Sequence, residues 1–302
     1  EAMTRVSAHA NLPAAVLEID NLRVWFGATE VVRGVSLTLE RGEVLGLVGE
    51  SGSGKSVTSL AILGLLSPAA RIEGSIRWLG RELIGLPNRE LQAIRGREIA
   101  MVFQEPMTAL NPVMTVGRQI SEAILAHEPR LGRNEARRRA VEALESVAIA
   151  EAGRRYGDYP HQFSGGQRQR ILIAMALVHK PQFLIADEPT TALDVTVQAQ
   201  VLELMKTQQR ERGLSMLFTS HDLAVVGQMA SRVAVMRSGQ ILESGPSQKV
   251  LTRPMHPYTK SLLGALPTLR TDRSHALSTL AHDPANTSGH LVEAESGHWI
   301  RQ

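Results

Sequence analysis

Val44-Leu45-Gly46-Leu47-Val48, running directly into Gly49-Glu50-Ser51-Gly52-Ser53-Gly54-Lys55-Ser56, decides how this chain folds. The first stretch carries no polar side chain, as a strand covered on both faces of a parallel sheet requires. The second matches G-x-x-x-x-G-K-S in full, and Val57 to Leu66 reads as a helix starting where it ends. Strand, glycine-rich loop and helix in that order make a phosphate cradle. Backbone N–H groups close around a β-phosphate, the helix N-terminus adds a favourable dipole, Lys55 supplies charge and Ser56 offers a hydroxyl to Mg2+. Gly49, Glu50, Ser51, Gly52, Ser53, Gly54, Lys55 and Ser56 are therefore candidate nucleotide-binding positions.

Upstream, 17–26 and 31–39 alternate apolar and polar residues and are expected to be half-exposed antiparallel strands. Downstream, a stretch of helical periodicity centred on Glu135 to Leu144 predicts a helical subdomain inserted over about 93–165. Sheet character returns at Phe183-Leu184-Ile185-Ala186 and at Ser215-Met216-Leu217-Phe218-Thr219, with a helix expected between them over Val195 to Arg210. Alternating β and α elements imply a parallel sheet, hence an α/β fold. Residues 1–16 are expected to be a flexible lead-in without the basic and apolar regions of a secretory signal. After Gly245 the text turns rich in Pro, His, Ser and Thr, and 281–302 is expected to be poorly ordered.

Phe183 to Ala186 ends in Asp187-Glu188. A buried strand delivering Asp187 to its C-terminal edge places a carboxylate near a loop-bound metal, and Glu188 can polarise the water that attacks a γ-phosphorus. A solvated turn is the plainer alternative for two such acids, and the phosphate loop argues against it. Ser164-Gly165-Gly166-Gln167 begins a helix with a capping box, Ser164 paired with Gln167, which leaves helix-start amides behind two glycines as a second anion site or as an ordinary capped helix.

These pieces together resemble the ATP-binding-cassette (ABC) ATPases. Ser164 to Gln167 looks like the cassette signature, Gln104 in Met101-Val102-Phe103-Gln104 like the Q-loop, Ala192-Leu193-Asp194 like the D-loop, and His221 in Thr219-Ser220-His221-Asp222 like the switch histidine. Phe26 is similar to the aromatic that stacks on adenine, with Trp25 as its neighbouring alternative. The likeness spans about 17–265. It implies a RecA-like phosphate-loop NTPase core with an N-terminal antiparallel β subdomain, an inserted α-helical subdomain and a short C-terminal extension, bounded as 17–247 for the cassette and 248–302 for the extension.

The resemblance also implies roles. Glu188, His221 and Gln104 would be catalytic. Ser56, Gln104 and Asp187 would serve Mg2+. Phe26, the phosphate loop, Ser164, Gly165, Gly166, Gln167 and Asp194 would bind ATP, the signature and Asp194 acting in a head-to-tail dimer. Arg253-Pro254-Met255-His256-Pro257-Tyr258-Thr259 resembles the element that follows the cassette in oligopeptide, dipeptide, nickel and opine importers. Its local reading is a stop before a short helix, Lys260 to Leu266. The implied partners are a second cassette ATPase, expected as a different sister subunit, two membrane permeases and an extracytoplasmic solute-binding protein. The implied place is peripheral, on the cytoplasmic face of the inner membrane.

Composition narrows the rest. Across 302 residues there is no cysteine, which removes disulfides and the iron–sulfur cluster that accompanies many peptide-importer cassettes. The longest apolar run, Leu60 to Leu66, falls far short of the ~20 residues of a membrane span. A net charge of +3 and 4% aromatic residues argue against a nucleic-acid partner, and the cluster Arg130, Arg133, Arg137, Arg138, Arg139 reads as a solvated helix face. The competing readings are a nickel, metallophore or opine cassette, a soluble ABC ATPase acting on nucleic acid, and a nucleotide sensor without turnover.

Overall fold

A computed structural model describes residues 15–104, 109–191, 193–264 and 289–301. The alternating N-terminal stretches form β1 (Ala15–Phe26) and β2 (Thr29–Glu40), an antiparallel pair. With β4 (Ala70–Trp78) and β5 (Arg81–Glu82) they make a four-stranded sheet in the order β2-β1-β4-β5.

The second sheet is built around β3 (Val44–Val48). Parallel to it run β6 (Ile99–Val102), β7 (Phe183–Asp187), β8 (Ser215–Ser220) and β9 (Arg232–Arg237). Then β10 (Gln240–Pro246), β11 (Leu291–Glu295) and β12 (His298–Arg301) add antiparallel, in the overall order β11-β12-β10-β9-β3-β8-β7-β6. All five residues of β3, and all of β7 and β8, are buried, as strands covered on both faces must be.

The pleat sends alternate side chains of β3 to opposite layers. Leu45 and Leu47 join Val24, Ile62, Trp78, Ile185 and Leu217, whereas Val44 and Val48 join Ile171, Ala186, Phe218 and Val235. Each fully buried Val or Leu contributes about 1.5–3 kcal/mol, so the two layers fix the strand that aims the phosphate loop.

Among the described residues the α-helices are α1 (Lys55–Ile62), α2 (Asn88–Ile94), α3 (Val116–His127), α4 (Arg133–Ser146), α5 (Ala152–Arg155), α6 (Gly165–Leu177), α7 (Val195–Arg212), α8 (Leu223–Met229), α9 (Ser247–Thr252) and α10 (Pro257–Gly264). α1 starts two residues before the expected Val57, because the loop feeds Lys55 straight into the first turn. The helical insert starts later than 93: Ile99 to Val102 is the edge strand β6, and the helices α3 to α5 lie between it and α6.

The tail differs from expectation more sharply. Residues 291–301 form a hairpin whose inner strand pairs with β10, Glu243 opposite Ile300 and Ser244 opposite Trp299, so this part of 281–302 is ordered sheet. Residues 281–288 lie outside the described residues, as do 1–14 of the expected lead-in, while Ala15 and Val16 already belong to β1. Pro257 opens α10 three residues earlier than Lys260, since a missing N–H costs nothing in a first turn.

Candidate active site

Gly54 caps α1 with φ at 108°, a conformation that favours glycine, and hands the chain into the helix. Lys55 follows, 4% exposed, its ammonium donating to the Gly49 carbonyl at 2.7 Å and the Glu50 carbonyl at 3.0 Å. The Ser53 hydroxyl is buried in the loop with no hydrogen-bond partner among the described residues. A cradle of this kind holds a charged lysine and a spare donor where an anion can meet them.

β7 brings Asp187 and Glu188 to the same end of the sheet. Parallel register sets Asp187 beside Thr219 of β8, and the Thr219 hydroxyl donates to Asp187 Oδ1 at 2.6 Å. The same hydroxyl accepts the Glu188 N–H at 3.0 Å. Glu188 then turns out of the strand with φ at 46°, a left-handed conformation that is uncommon for a residue with a side chain and marks a functional candidate.

The Glu188 carboxylate is the focus of the site. Oε2 accepts from His221 Nδ1 at 3.1 Å, Thr191 Oγ1 at 3.0 Å and Gln104 Nε2 at 3.3 Å, and Oε1 lies 3.4 Å from Lys55 Nζ. Burial pushes its pKa up, yet the hydrogen bonds from His221 and Thr191 and the charge of Lys55 outweigh this and hold the carboxyl below its usual value. A carboxylate kept ionised and held by four donors has the charge and fixed orientation that a general base needs.

These side chains face one cleft of about 610 Å³. Gly54, Lys55 and Ser56 of the loop line it together with Gln104, Glu188, Thr191 and His221. The sequence thus anticipated the phosphate loop, Gln104, Glu188 and His221 as neighbours. It missed Thr191 and Thr219, whose only signal was a threonine close to each of two strand ends.

Other expected residues lie elsewhere. Phe26 ends β1 and is 37% exposed, while Trp25 is covered by the Arg71 guanidinium at 4.0 Å, which leaves Phe26 the freer of the two aromatics. Ser164 caps α6 and forms the capping box with Gln167: the Gln167 N–H reaches Ser164 Oγ at 3.3 Å and the Ser164 N–H reaches Gln167 Oε1 at 3.0 Å. Gly166 lets α6 meet α7 closely, since a Cβ there would sit 2.3 Å from Val197 Cγ1. Asp194 caps α7 through the Val197 N–H at 3.0 Å. None of Phe26, Ser164, Gly165, Gly166, Gln167 or Asp194 lines the cleft of its own chain. Ala192 lies outside the described residues.

In the arginine cluster, Arg138 pairs with Glu135 and Glu142, Arg139 pairs with Glu128, and Arg137 lies over the Tyr156 ring at 4.6 Å. Much of that charge is spent within the helical insert.

A phosphate cradle on a parallel sheet, facing an oriented carboxylate at the end of the neighbouring strand pair, defines a phosphate-loop NTPase. Residues 32–191 match the family model described as ABC transporter, and the chain belongs to that family. It is accordingly an ATPase. Residues 242–290 match a second model, the C-terminal region of oligopeptide/dipeptide transporters.

Among similar proteins is the oligopeptide transport ATP-binding protein OppD of Bacillus subtilis (strain 168), 48% identical over 275 residues, which are 89% of this chain and 76% of the relative. The dipeptide transport ATP-binding protein DppD of the same organism is 51% identical over 260 residues, 84% of this chain and 77% of the relative. A solved dimeric ATP-binding cassette in a post-hydrolysis state with ADP and Pi superposes with a TM-score of 0.67 at 29% identity, covering 76% of this chain and 98% of that one.

Proposed function

We propose that this chain is the ATP-hydrolysing subunit of a peptide importer and works as one of two cassettes in a closed dimer. The observation that carries the transport reading is the C-terminal match over 242–290, supported by the oligopeptide and dipeptide transport relatives. Among the described residues no helix is long and apolar enough to cross a membrane, so in this reading the passage belongs to partner permeases and the solute reaches them from a binding protein.

The residues divide the chemical work. Loop amides and Lys55 hold the β- and γ-phosphates. Glu188 accepts a proton from the attacking water, and His221 and Thr191 keep its carboxylate aimed. The oxygen donors Ser56, Gln104 and Asp187 suit Mg2+, a hard cation. Asp187 is buried at the strand end with Thr219 bound to one of its oxygens, which orients the other. When bound, Mg2+ neutralises charge on the phosphate oxygens. Phe26 offers an open ring to adenine.

The helix-start amides behind Ser164 lie outside the cleft of their own chain, which supports a pairing in which each signature closes over the partner's nucleotide. ATP then favours closure by its greater affinity for the closed state, and the resulting cycle drives the permeases. The test is the ATPase rate of the complex purified with its permeases and loaded with binding protein. Stimulation by di- or oligopeptides supports the reading; stimulation by nickel or metal chelates alone refutes the peptide assignment.

A further inference from the structure

Tyr258 of α10 is 3% exposed, yet its hydroxyl reaches a residue 208 positions earlier and meets the phosphate loop. It accepts the Glu50 N–H at 3.4 Å, and the Glu50 carboxylate is among the charges that act on it. That N–H belongs to the same planar peptide unit as the Gly49 carbonyl, which holds Lys55 Nζ at 2.7 Å. One peptide plane therefore carries Tyr258 on one edge and the phosphate-loop lysine on the other. Burial pushes the phenol up to about 12, so the hydroxyl remains a donor at physiological pH.

Tyr258 is itself mounted. The Arg237 guanidinium lies over its ring at 4.7 Å, and its N–H donates to His256 Nδ1 at 3.0 Å. The Met255 and His256 N–H groups donate to the two oxygens of Glu243, at 2.9 and 3.0 Å. Glu243 is fully buried in β10, and His298 Nε2, 1% exposed at the start of β12, approaches the same carboxylate to 2.7 Å. A chain of contacts thus runs from the C-terminal hairpin through Glu243, His256 and Tyr258 to the phosphate loop. A phenylalanine would fill the same space; only the hydroxyl needs the loop.

We infer that Tyr258 is a positioning residue for the phosphate loop, and that Glu243 and His298 hold it there, so that the C-terminal extension sets the nucleotide affinity of the cassette. The inference rests on residues 49–56 being the nucleotide cradle.

The test uses the full chain and titrates the non-hydrolysable analogue AMP-PNP into Tyr258→Phe, His298→Leu, His298→Gln, the double variant Tyr258→Phe/His298→Leu, and Lys55→Ala. Loss of one hydrogen bond predicts affinity weakened about 2- to 10-fold in Tyr258→Phe, with the melting temperature nearly unchanged. In the assembled transporter the KM for ATP rises while kcat holds. His298→Leu weakens binding in the same direction but adds nothing in the Tyr258→Phe background, and His298→Gln, whose amide can donate in place of Nε2, restores it. Wild-type affinity in Tyr258→Phe, with binding lost in Lys55→Ala, overturns the inference and leaves the cradle standing. Additive effects of the two substitutions break the proposed link. Unchanged binding in Lys55→Ala would remove the cradle and the inference together.

Discussion

Replacing Thr219 by valine changes one atom group in the most connected part of the site. The hydroxyl donates to Asp187 at 2.6 Å and accepts the Glu188 N–H at 3.0 Å, and the side chain is completely buried. Valine fills the same volume, so no cavity term arises. The Glu188 N–H keeps the Thr219 carbonyl at 3.2 Å and loses little. Asp187 loses its charge-assisted donor inside the core, which costs about 2–3 kcal/mol. For a chain of this size that lowers the melting temperature by about 3–5 °C. With the Asp187 carboxylate released from that hydroxyl, the acid pair can shift, and a displacement near 1 Å costs up to ~100-fold in rate. Differential scanning calorimetry and steady-state ATPase measurements on the valine variant read both. A melting temperature and kcat equal to those of the parent would refute this account of how the acid pair is held.

Gly54→Ala places a Cβ at φ 108°, 2.7 Å from Met236 Cε and 3.3 Å from the Val31 carbonyl. Strain of about 1–3 kcal/mol falls on the loop itself, so calorimetric titration should show ATP binding weakened by roughly tenfold or more. His256 is depressed by burial and by Arg237 and Arg301, which outweigh Glu243. A histidine whose folded value lies below its unfolded value contributes stability above the unfolded value and loses it as pH falls toward the folded one. The melting temperature should therefore drop as pH is lowered through the ordinary histidine range. His256→Asn, which keeps an acceptor for the Tyr258 N–H, should flatten that dependence.

Much of this was legible in the sequence where one physical signal sufficed. Val44 to Val48 and Phe183 to Ala186 are short apolar runs, and Ser215 to Thr219 has an apolar centre rich in strand-forming residues; all three are fully buried strands. The capping box at Ser164 was equally local. By contrast Ile99 to Val102 is too short to announce itself and borders helical text, so the edge strand β6 was absorbed into the expected helical insert. The C-terminal hairpin follows a polar stretch and exposes most of β11, and what orders it is pairing to β10, some fifty residues earlier. The same holds in the site. Lys55, Glu188 and His221 announce themselves by type and spacing. Thr191, Thr219 and Tyr258 matter through contacts that only the folded register supplies.

The central claim is that Glu188 is the base of an ATPase completed by a second cassette, and Glu188→Gln tests it most directly. The amide keeps the shape and the contacts with Thr191 and Gln104 but cannot accept a proton. The account predicts that this variant binds ATP, accumulates as a nucleotide-bound dimer and hydrolyses at least ~100-fold more slowly than the parent. Near-parental steady-state hydrolysis by purified Glu188→Gln would contradict it.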